Sequence, residues 1–470
     1  MKKVLTNFIY QGIFQVLKLV IPIVTIPIVS RALGPSGLGL YNFSNSIAQY
    51  FILFAALGMS IYGNREIAIN RTDKYRLSKT FWELEVMSAV CAISLTILYI
   101  FIFSFSPDRL VYYVQSLSVI AVLFDISWFF MGLEDFKQVS LTNVSVQLFT
   151  LLLIVLFVRR PSDTILYIGI QSGGVLLSAV LMWVFVKGKI EFIPVRLAAI
   201  KKHFFNSLPF FIPQVSVVIY TNLNKTMLGL LRSKADVGFF SNGLQLITVT
   251  VTLITTLDIV LLPRMSNYFA QGRKDAIVRV LKQTLNLQLY FSIPIFVGVC
   301  VITPKLVPWF FGSQFTILDK VIPALALLII VIPIGTSIAR QYQLPVGKIK
   351  DYNLAVVYGA AISVGMNVIL IPLIGIWGAI IATLIAEGYV SVTRIASVMR
   401  GTGFKYDAHL IVCSSVCAIV MGGVVRITTI NMRATVFTSL VQVVMGVIVY
   451  FGLSTLINAN PVLDLFKRGK

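Results

Sequence analysis

Long apolar runs, separated by short polar stretches, fill this chain from end to end. Fourteen runs can be marked, at about 8–30, 38–62, 80–104, 110–133, 140–158, 163–187, 206–231, 237–262, 285–308, 318–340, 354–373, 376–399, 408–427 and 434–457. A helix of about 20 apolar residues crosses roughly 30 Å of hydrocarbon, and the runs have that length. The pattern predicts an all-α integral membrane protein with about 14 transmembrane helices. Between the first two runs stands Arg31-Ala-Leu-Gly34-Pro35-Ser-Gly37-Leu-Gly39. Its glycines and proline predict a tight turn, so residues 18–65 form a membrane hairpin closed by Tyr62-Gly63-Asn64-Arg65.

The hairpin recurs 199 residues later. That step pairs Lys2-Lys3 with Lys201-Lys202, Asn7 with Asn206, Gln15 with Gln214, Gly39 with Gly238, Tyr41 with Phe240 and Arg65 with Arg264, without a gap. Several polar matches in one register indicate a duplicated unit. Duplicated halves are a frequent plan for transporters, with the substrate path between them. The expected organisation is a six-helix bundle over 1–187, an interfacial linker helix over 188–205, a second six-helix bundle over 206–400 and an additional helix pair over 401–470. In the linker, Ile193, Leu197, Ile200 and Phe204 recur at helical spacing among Arg196, Lys201 and Lys202, as in a helix lying at the inner membrane surface.

Composition narrows the class. Charged residues are 12% of the chain, about half of what a soluble domain carries, which leaves almost no room for one. The first run is long and lacks a small-residue cleavage site, so it is expected to stay in place. A net charge of +21 could suggest nucleic acid, but the basic residues sit in short loops between apolar runs. With the N-terminus inside, inner segments carry about 27 Lys and Arg and outer ones about 10, which places both termini in the cytoplasm. The longer loops, 63–79 and 263–284, are also inner ones. Outer loops are short, which argues against an envelope glycosyltransferase or polymerase.

Cys91, Cys300, Cys413 and Cys417 fall inside apolar runs and read as packed thiols. His203 and His409 read as isolated loop residues, and no glycine loop precedes a Lys-Ser/Thr pair. No catalytic constellation, metal site or cofactor is expected, and the chain reads as a transporter, not an enzyme.

Arg31 to Gly39 and Tyr62-Gly63-Asn64-Arg65-Glu66-Ile-Ala68 resemble the first hairpin of the polysaccharide-biosynthesis flippases, the O-antigen and capsule repeat-unit exporters of bacteria. Trp128-Phe-Phe-Met-Gly132-Leu-Glu134-Asp-Phe136 resembles their fourth-span signature. Met227-Leu-Gly229 with Val237-Gly238-Phe-Phe240, and Asn367 to Thr383 ending at Glu387, are similar to later hairpins of the family. The resemblance implies a wider group that also holds multidrug antiporters and the lipid II flippase. It implies two bundles around a central cavity, and as cargo an undecaprenyl-diphosphate-linked oligosaccharide turned from the inner to the outer leaflet of the cytoplasmic membrane. Expected partners are membrane lipid and the glycosyltransferases and polymerase of the same pathway, not nucleic acid. The alternative readings are an ion-coupled small-molecule antiporter and, further off, an envelope polymerase or ligase.

Such cargo needs cations for its diphosphate and amides for its sugars, set in spans beside a wet cavity. Lys18 lies about 10 residues, roughly 15 Å, into the first run, too deep for easy snorkelling. Lys225 follows Asn222 and Asn224 in the seventh. Arg65 and Arg264 hold matching repeat positions at the inner mouth, and Arg31 stands at the outer one. Gln15 and Gln214, with Asn42, Asn45, Gln49 and Asn242, are milder polar marks. Each has a plainer reading as well: a packing ion pair for Lys18, snorkelling for Lys225, anchoring at the membrane surface for the arginines. Asp125, Asp258 and Glu387 could bind H⁺ or Na⁺ and couple a gradient, or could neutralise the two lysines.

Overall fold

The computed structural model describes residues 2–462, and the side chains of residues 17 and 20–462 other than 213. Lys18 and Gln15 therefore lie outside the described side chains. The protein is all-α, and the described residues contain no strand. Twelve stretches among them are long and apolar enough to cross a membrane. A helix bent by 53° between Leu197–Ile212 and Gln214–Leu231 makes a thirteenth, and the stretch Val20–Asn70 covers two of the sequence runs. The chain is thus a multi-pass membrane protein of about fourteen spans.

Two compact units divide it at residues 238 and 239. The first contains α1 (Lys2–Ala56), α2 (Met59–Asn70), α3 (Lys74–Phe103), α4 (Arg109–Ile120), α5 (Ser127–Gly132), α6 (Phe136–Phe157), α7 (Thr164–Met182) and α8 (Leu197–Leu231). Its core gathers Tyr62, Phe81, Leu84, Trp128, Phe129 and Phe130. Helix α9 (Lys234–Ala270) begins at the end of this unit. The second unit holds the rest of α9, α10 (Lys274–Phe310), α11 (Leu318–Ala326), α12 (Leu328–Ile338), α13 (Ile349–Ile374), α14 (Ile376–Thr402), α15 (Ala408–Thr429) and α16 (Val436–Leu456). Tyr290, Cys417, Met421 and Tyr450 form one core there, and Met265, Leu281, Leu285 and Ile338 another.

The predicted turn at 31–39 contracts to one residue. Gly34 alone leaves helical geometry, at φ 67°, a value that glycine reaches without steric cost, and Pro35 restarts the helix with its fixed φ. The two longer loops expected over 63–79 and 263–284 are corrected. Helix α2 runs to Asn70 because Met59, Tyr62, Gly63 and Ile67 recur at helical spacing and are buried. Only residues 71–73 remain as a turn, and Asp73 caps α3 by accepting from the Tyr75 and Arg76 amides at 2.9 and 3.1 Å. In the second unit α9 runs to Ala270, and residues 271–273 make the equivalent turn. The interfacial helix expected over 188–205 starts at Leu197 and continues as α8. The residues before it are strapped to the first unit: Lys189 pairs with Asp135 at 2.5 Å, and Trp82 Nε1 donates to the Glu191 carbonyl at 3.0 Å.

The signature stretches at 62–66 and 128–136 meet each other. A Cβ on Gly63 would lie 2.9 Å from the Trp128 ring, and one on Gly132 would lie 2.8 Å from the Asn64 carbonyl oxygen. A side chain larger than hydrogen at either position would separate α2 from α5.

The duplication has a physical counterpart in the first unit. A Cβ on Gly39 would strike the carbonyl of Lys234, and one on Gly238 would strike the carbonyl of Pro35. Pro35 and Lys234 are themselves 199 residues apart, like Gly39 and Gly238. The contact is therefore reciprocal: each repeat offers the same glycine to the same carbonyl of the other. Backbone cannot move aside as a side chain can. Gly39→Ala and Gly238→Ala should each destabilise the purified protein by at least about 1–3 kcal/mol in thermal unfolding. Gly173→Ala, with nothing within 4 Å of the new methyl, should not.

Candidate functional site

Several polar side chains lie along α8, and one of them, Thr226, meets α1. Thr226 Oγ1 lies 3.0 Å from Ser46 Oγ and 3.1 Å from Tyr50 Oη, which ties the two helices. One turn earlier, Asn222 is buried and donates to its own helix, to the Val218 carbonyl at 3.0 Å. Asn224 is buried too. Lys225, between Asn224 and Thr226, is half-buried, and no carboxylate pairs with it among the described residues. Further down, Gln214 Nε2 donates to Ser60 Oγ at 3.2 Å. At the start of α9, Lys234 Nζ stands 3.2 Å from the centre of the Phe43 ring and donates to the Gly229 carbonyl near the end of α8 at 3.0 Å.

A second polar feature lies inside the first unit, among α1, α4, α6 and α7. It is a cavity of about 440 Å³. Gln49, Asp125, Asn143, Gln147, Gln171 and Ser178 are on its walls. Asp125 reaches it because the fourth run is not one helix. After α4 comes a short 3₁₀ turn, Ala121–Phe124, and Asp125 has extended backbone before α5. Its Oδ1 accepts from the Ser127 amide at 2.9 Å, and the rest of the carboxylate stays exposed. Glu85 on α3 is buried within electrostatic range of Asp125, and its Oε2 finds no hydrogen-bond partner among the described residues.

The arginines are at surfaces. Arg65 is exposed beside Glu66 and lies 5.8 Å from the Phe210 ring centre; Arg264 donates to Tyr268 Oη at 2.8 Å. Both repeat positions thus set a guanidinium near an aromatic ring. Arg31 is exposed on α1.

Neither histidine is a loop residue. His409 is in the first turn of α15, with Nε2 3.6 Å from Cys413 Sγ. His203, on α8, is buried: its Nδ1 lies 2.7 Å from Tyr62 Oη and its Nε2 3.2 Å from Glu83 Oε2. With the ring hydrogen on Nε2, Tyr62 donates to Nδ1 and the ring donates to Glu83. Helices α2, α3 and α8 are pinned together there.

In the second unit Asp258 is fully buried on α9. Ser337 Oγ lies 2.6 Å from its Oδ1, which also accepts from Gln341 Nε2 at 2.6 Å, and Gln288 Nε2 donates to the carboxyl group at 3.2–3.3 Å. Gln341 lies in a π-helical turn, Ala339–Gln343, that follows α12. Glu387 is half-buried on α14. No group of three or more His, Cys, Asp or Glu that could hold a metal is found among the described residues.

The family model described as polysaccharide biosynthesis protein matches residues 4–269, more than half of the chain. The chain belongs to the polysaccharide biosynthesis protein family. An Escherichia coli (strain K12) relative named for O-antigen transport is 22% identical over 305 residues, 63% of this chain and 74% of that protein. A Haloferax volcanii relative, named as a flippase of low-salt glycan biosynthesis, is 22% identical over 254 residues. That match spans 53% of this chain and about half, 47%, of the relative. Among solved structures, the lipid II flippase MurJ in an inward closed conformation superposes with a TM-score of 0.78 at 16% identity, over 96% of this chain and 98% of that one. At that identity the likeness is one of fold.

Within this family member, the first unit holds Gln214, Asn222, Asn224 and Lys225 at separate places along α8, and Asp125 on the polar cavity. Arg264, Asp258 and Glu387 belong to the second unit. Sequence reading passed over Glu85, Asn143, Gln147 and Gln171, and over the partners of Asp258. A signal was present: Asn143 and Gln147 stand four apart in an apolar run, on one helix face. It also passed over the chain Tyr62–His203–Glu83. A double-mutant cycle with Tyr62→Phe and His203→Ala should give a coupling of about 0.5–3 kcal/mol in thermal unfolding of the purified protein. Additive effects would show that this hydrogen bond contributes nothing.

Proposed function

We propose that this chain is a flippase for lipid-linked oligosaccharides, moving undecaprenyl-diphosphate-linked repeat units across the cytoplasmic membrane for surface polysaccharide such as capsule or O-antigen. The names of its relatives support the class of cargo. The observation that carries the reading to residues is Lys225. A cation in a membrane-crossing helix is costly unless it meets an anion or a wet cavity, and here no carboxylate pairs with it among the described residues. A diphosphate is an anion of the right kind. Asn222, Asn224 and Gln214, with Gln15 and Lys18 on the first span, complete the cargo site in this reading. Arg65 and Arg264 receive the diphosphate at the inner mouth and Arg31 meets it at the outer one.

The remaining parts of the reading follow from it. Both termini are cytoplasmic, as the basic residues favour. The chain divides by descent into 1–187, the linker 188–205, the second copy 206–400 and the helix pair 401–470, as the 199-residue register supports. It moves cargo and makes or breaks no bond. Glycosyltransferases supply the cargo, and a polymerase takes it up outside.

Deleting the gene should strand lipid-linked repeat units in the inner leaflet. Normal surface polysaccharide in a deletion strain without a second flippase would overturn the reading. Drug sensitivity in that strain, with intact polysaccharide, would indicate a small-molecule antiporter instead. In complementation, Lys225→Ala should lower export by about 10–100-fold at normal protein level, the worth of one charge-assisted hydrogen bond. Lys225→Arg should retain more activity. Full export by the Ala variant would remove Lys225 from the site.

A further inference from the structure

Asp258, Ser337 and Gln288 form a closed ring whose hydrogens can be counted. Ser337 Oγ lies 2.6 Å from Asp258 Oδ1 and 2.6 Å from Gln288 Oε1. Gln288 Nε2 lies 3.2 Å from Asp258 Oδ2. Each of the two short oxygen–oxygen contacts needs a hydrogen between the atoms. Ser337 owns one, and the amide oxygen of Gln288 owns none. The second must come from the carboxyl group. Turning the Gln288 amide over does not remove the need, because its oxygen would then face the carboxylate. With the amide as placed, Asp258 O–H donates to Ser337, Ser337 O–H to Gln288 Oε1, and Gln288 N–H back to Asp258 Oδ2; with it turned over the ring runs the other way and still needs the carboxyl hydrogen.

We propose that Asp258 is a proton-binding site, occupied at neutral pH, that switches the hydrogen-bond ring joining α9, α10 and α12. This deepens the transporter reading by naming a proton carrier within it. On release, the O–H bond of the acid breaks, its electron pair stays on the carboxylate and the proton passes to water. Ser337 then turns its single hydrogen to Asp258 and leaves Gln288 Oε1 unpaired in a buried place. Proton loss thus loosens α10 from α12 while drawing α12 to α9. Around the acid, α10 and α12 bring the neutral Gln288 and Ser337, and the π-helical turn brings Gln341 and Arg340, the charged side chain within electrostatic range among the described residues. Gln341 donates to Asp258 Oδ1, yet its own buried Oε1 has no partner among the described residues. One-turn π segments are frequent at functional sites.

Infrared difference spectroscopy on the purified full-length protein reads the proton without cargo. At neutral pH a carbonyl stretch of a protonated carboxylic acid, shifted in D₂O, is expected, and Asp258→Asn should remove it. That variant keeps the ring, since its amide can donate to Ser337 and, with the Gln341 amide turned over, to the otherwise unpartnered Gln341 Oε1, and can accept from Gln288, so its thermal midpoint should match the parent's. Ser337→Ala takes away the acceptor of the acid hydrogen and should move the band to higher frequency, which keeps the test open if the Asn variant does not fold. Spectra that are the same in all three proteins would overturn the proposal. In liposomes carrying lipid-linked repeat units, an imposed pH difference should change the flipping rate of the parent, and Asp258→Asn should lose that response. A band that vanishes with Asp258→Asn in a protein that moves no repeat units would uphold the proton site and count against the cargo. Flipping with no such band would do the reverse.

Discussion

A polar group inside a bilayer has no water to turn to, so its partner must come from the protein. The membrane spans obey this in two ways. Hydroxyl groups use their own helix: Thr248, Thr252, Thr255 and Thr256 on α9 each donate to a carbonyl four residues back, and Thr221 does so on α8. Such groups cost little and mark nothing. Amides and carboxylates carry more polar atoms than one turn of helix can satisfy. They gather instead, around the cavity of the first unit and around Asp258 in the second.

The gathering does not follow the duplication. In the 199-residue register Asp258 stands where the first copy has Met59, a buried residue of the aromatic core. One copy fills that position with packing and the other with a titratable group. The arginines kept the symmetry, since Arg65 and Arg264 lie beside aromatic rings in matching places. An exposed guanidinium beside a ring is common to both register positions, while the buried polar chemistry differs.

Much of the fold was legible because lipid demands length. The fourteen runs and the break at Gly34 needed only the apolar pattern and the placement of glycine. Helix ends were less legible. Residues 63–70 look like a loop because Asn64, Arg65 and Glu66 are polar, yet Tyr62, Gly63 and Ile67 hold the segment against α5. Site partners were least legible. Gln288, Ser337 and Gln341 lie 30 to 83 residues from Asp258, and nothing in their local sequence points to it. His203 was misplaced for the same reason: its burial depends on Tyr62 and Glu83, more than a hundred residues earlier.

The reciprocal glycine contact also sets a timetable. Residues 35–39 leave the ribosome early, but the backbone they rest on is not made until residue 238 has been added. At about 5–20 residues per second, that delay is on the order of 10–40 s. Through this interval the first hairpin sits in the bilayer with a bare strip of main chain, open to any other small-residue helix inserted nearby. A nascent chain of this kind gains from a translocon or chaperone that shields the strip until its counterpart arrives.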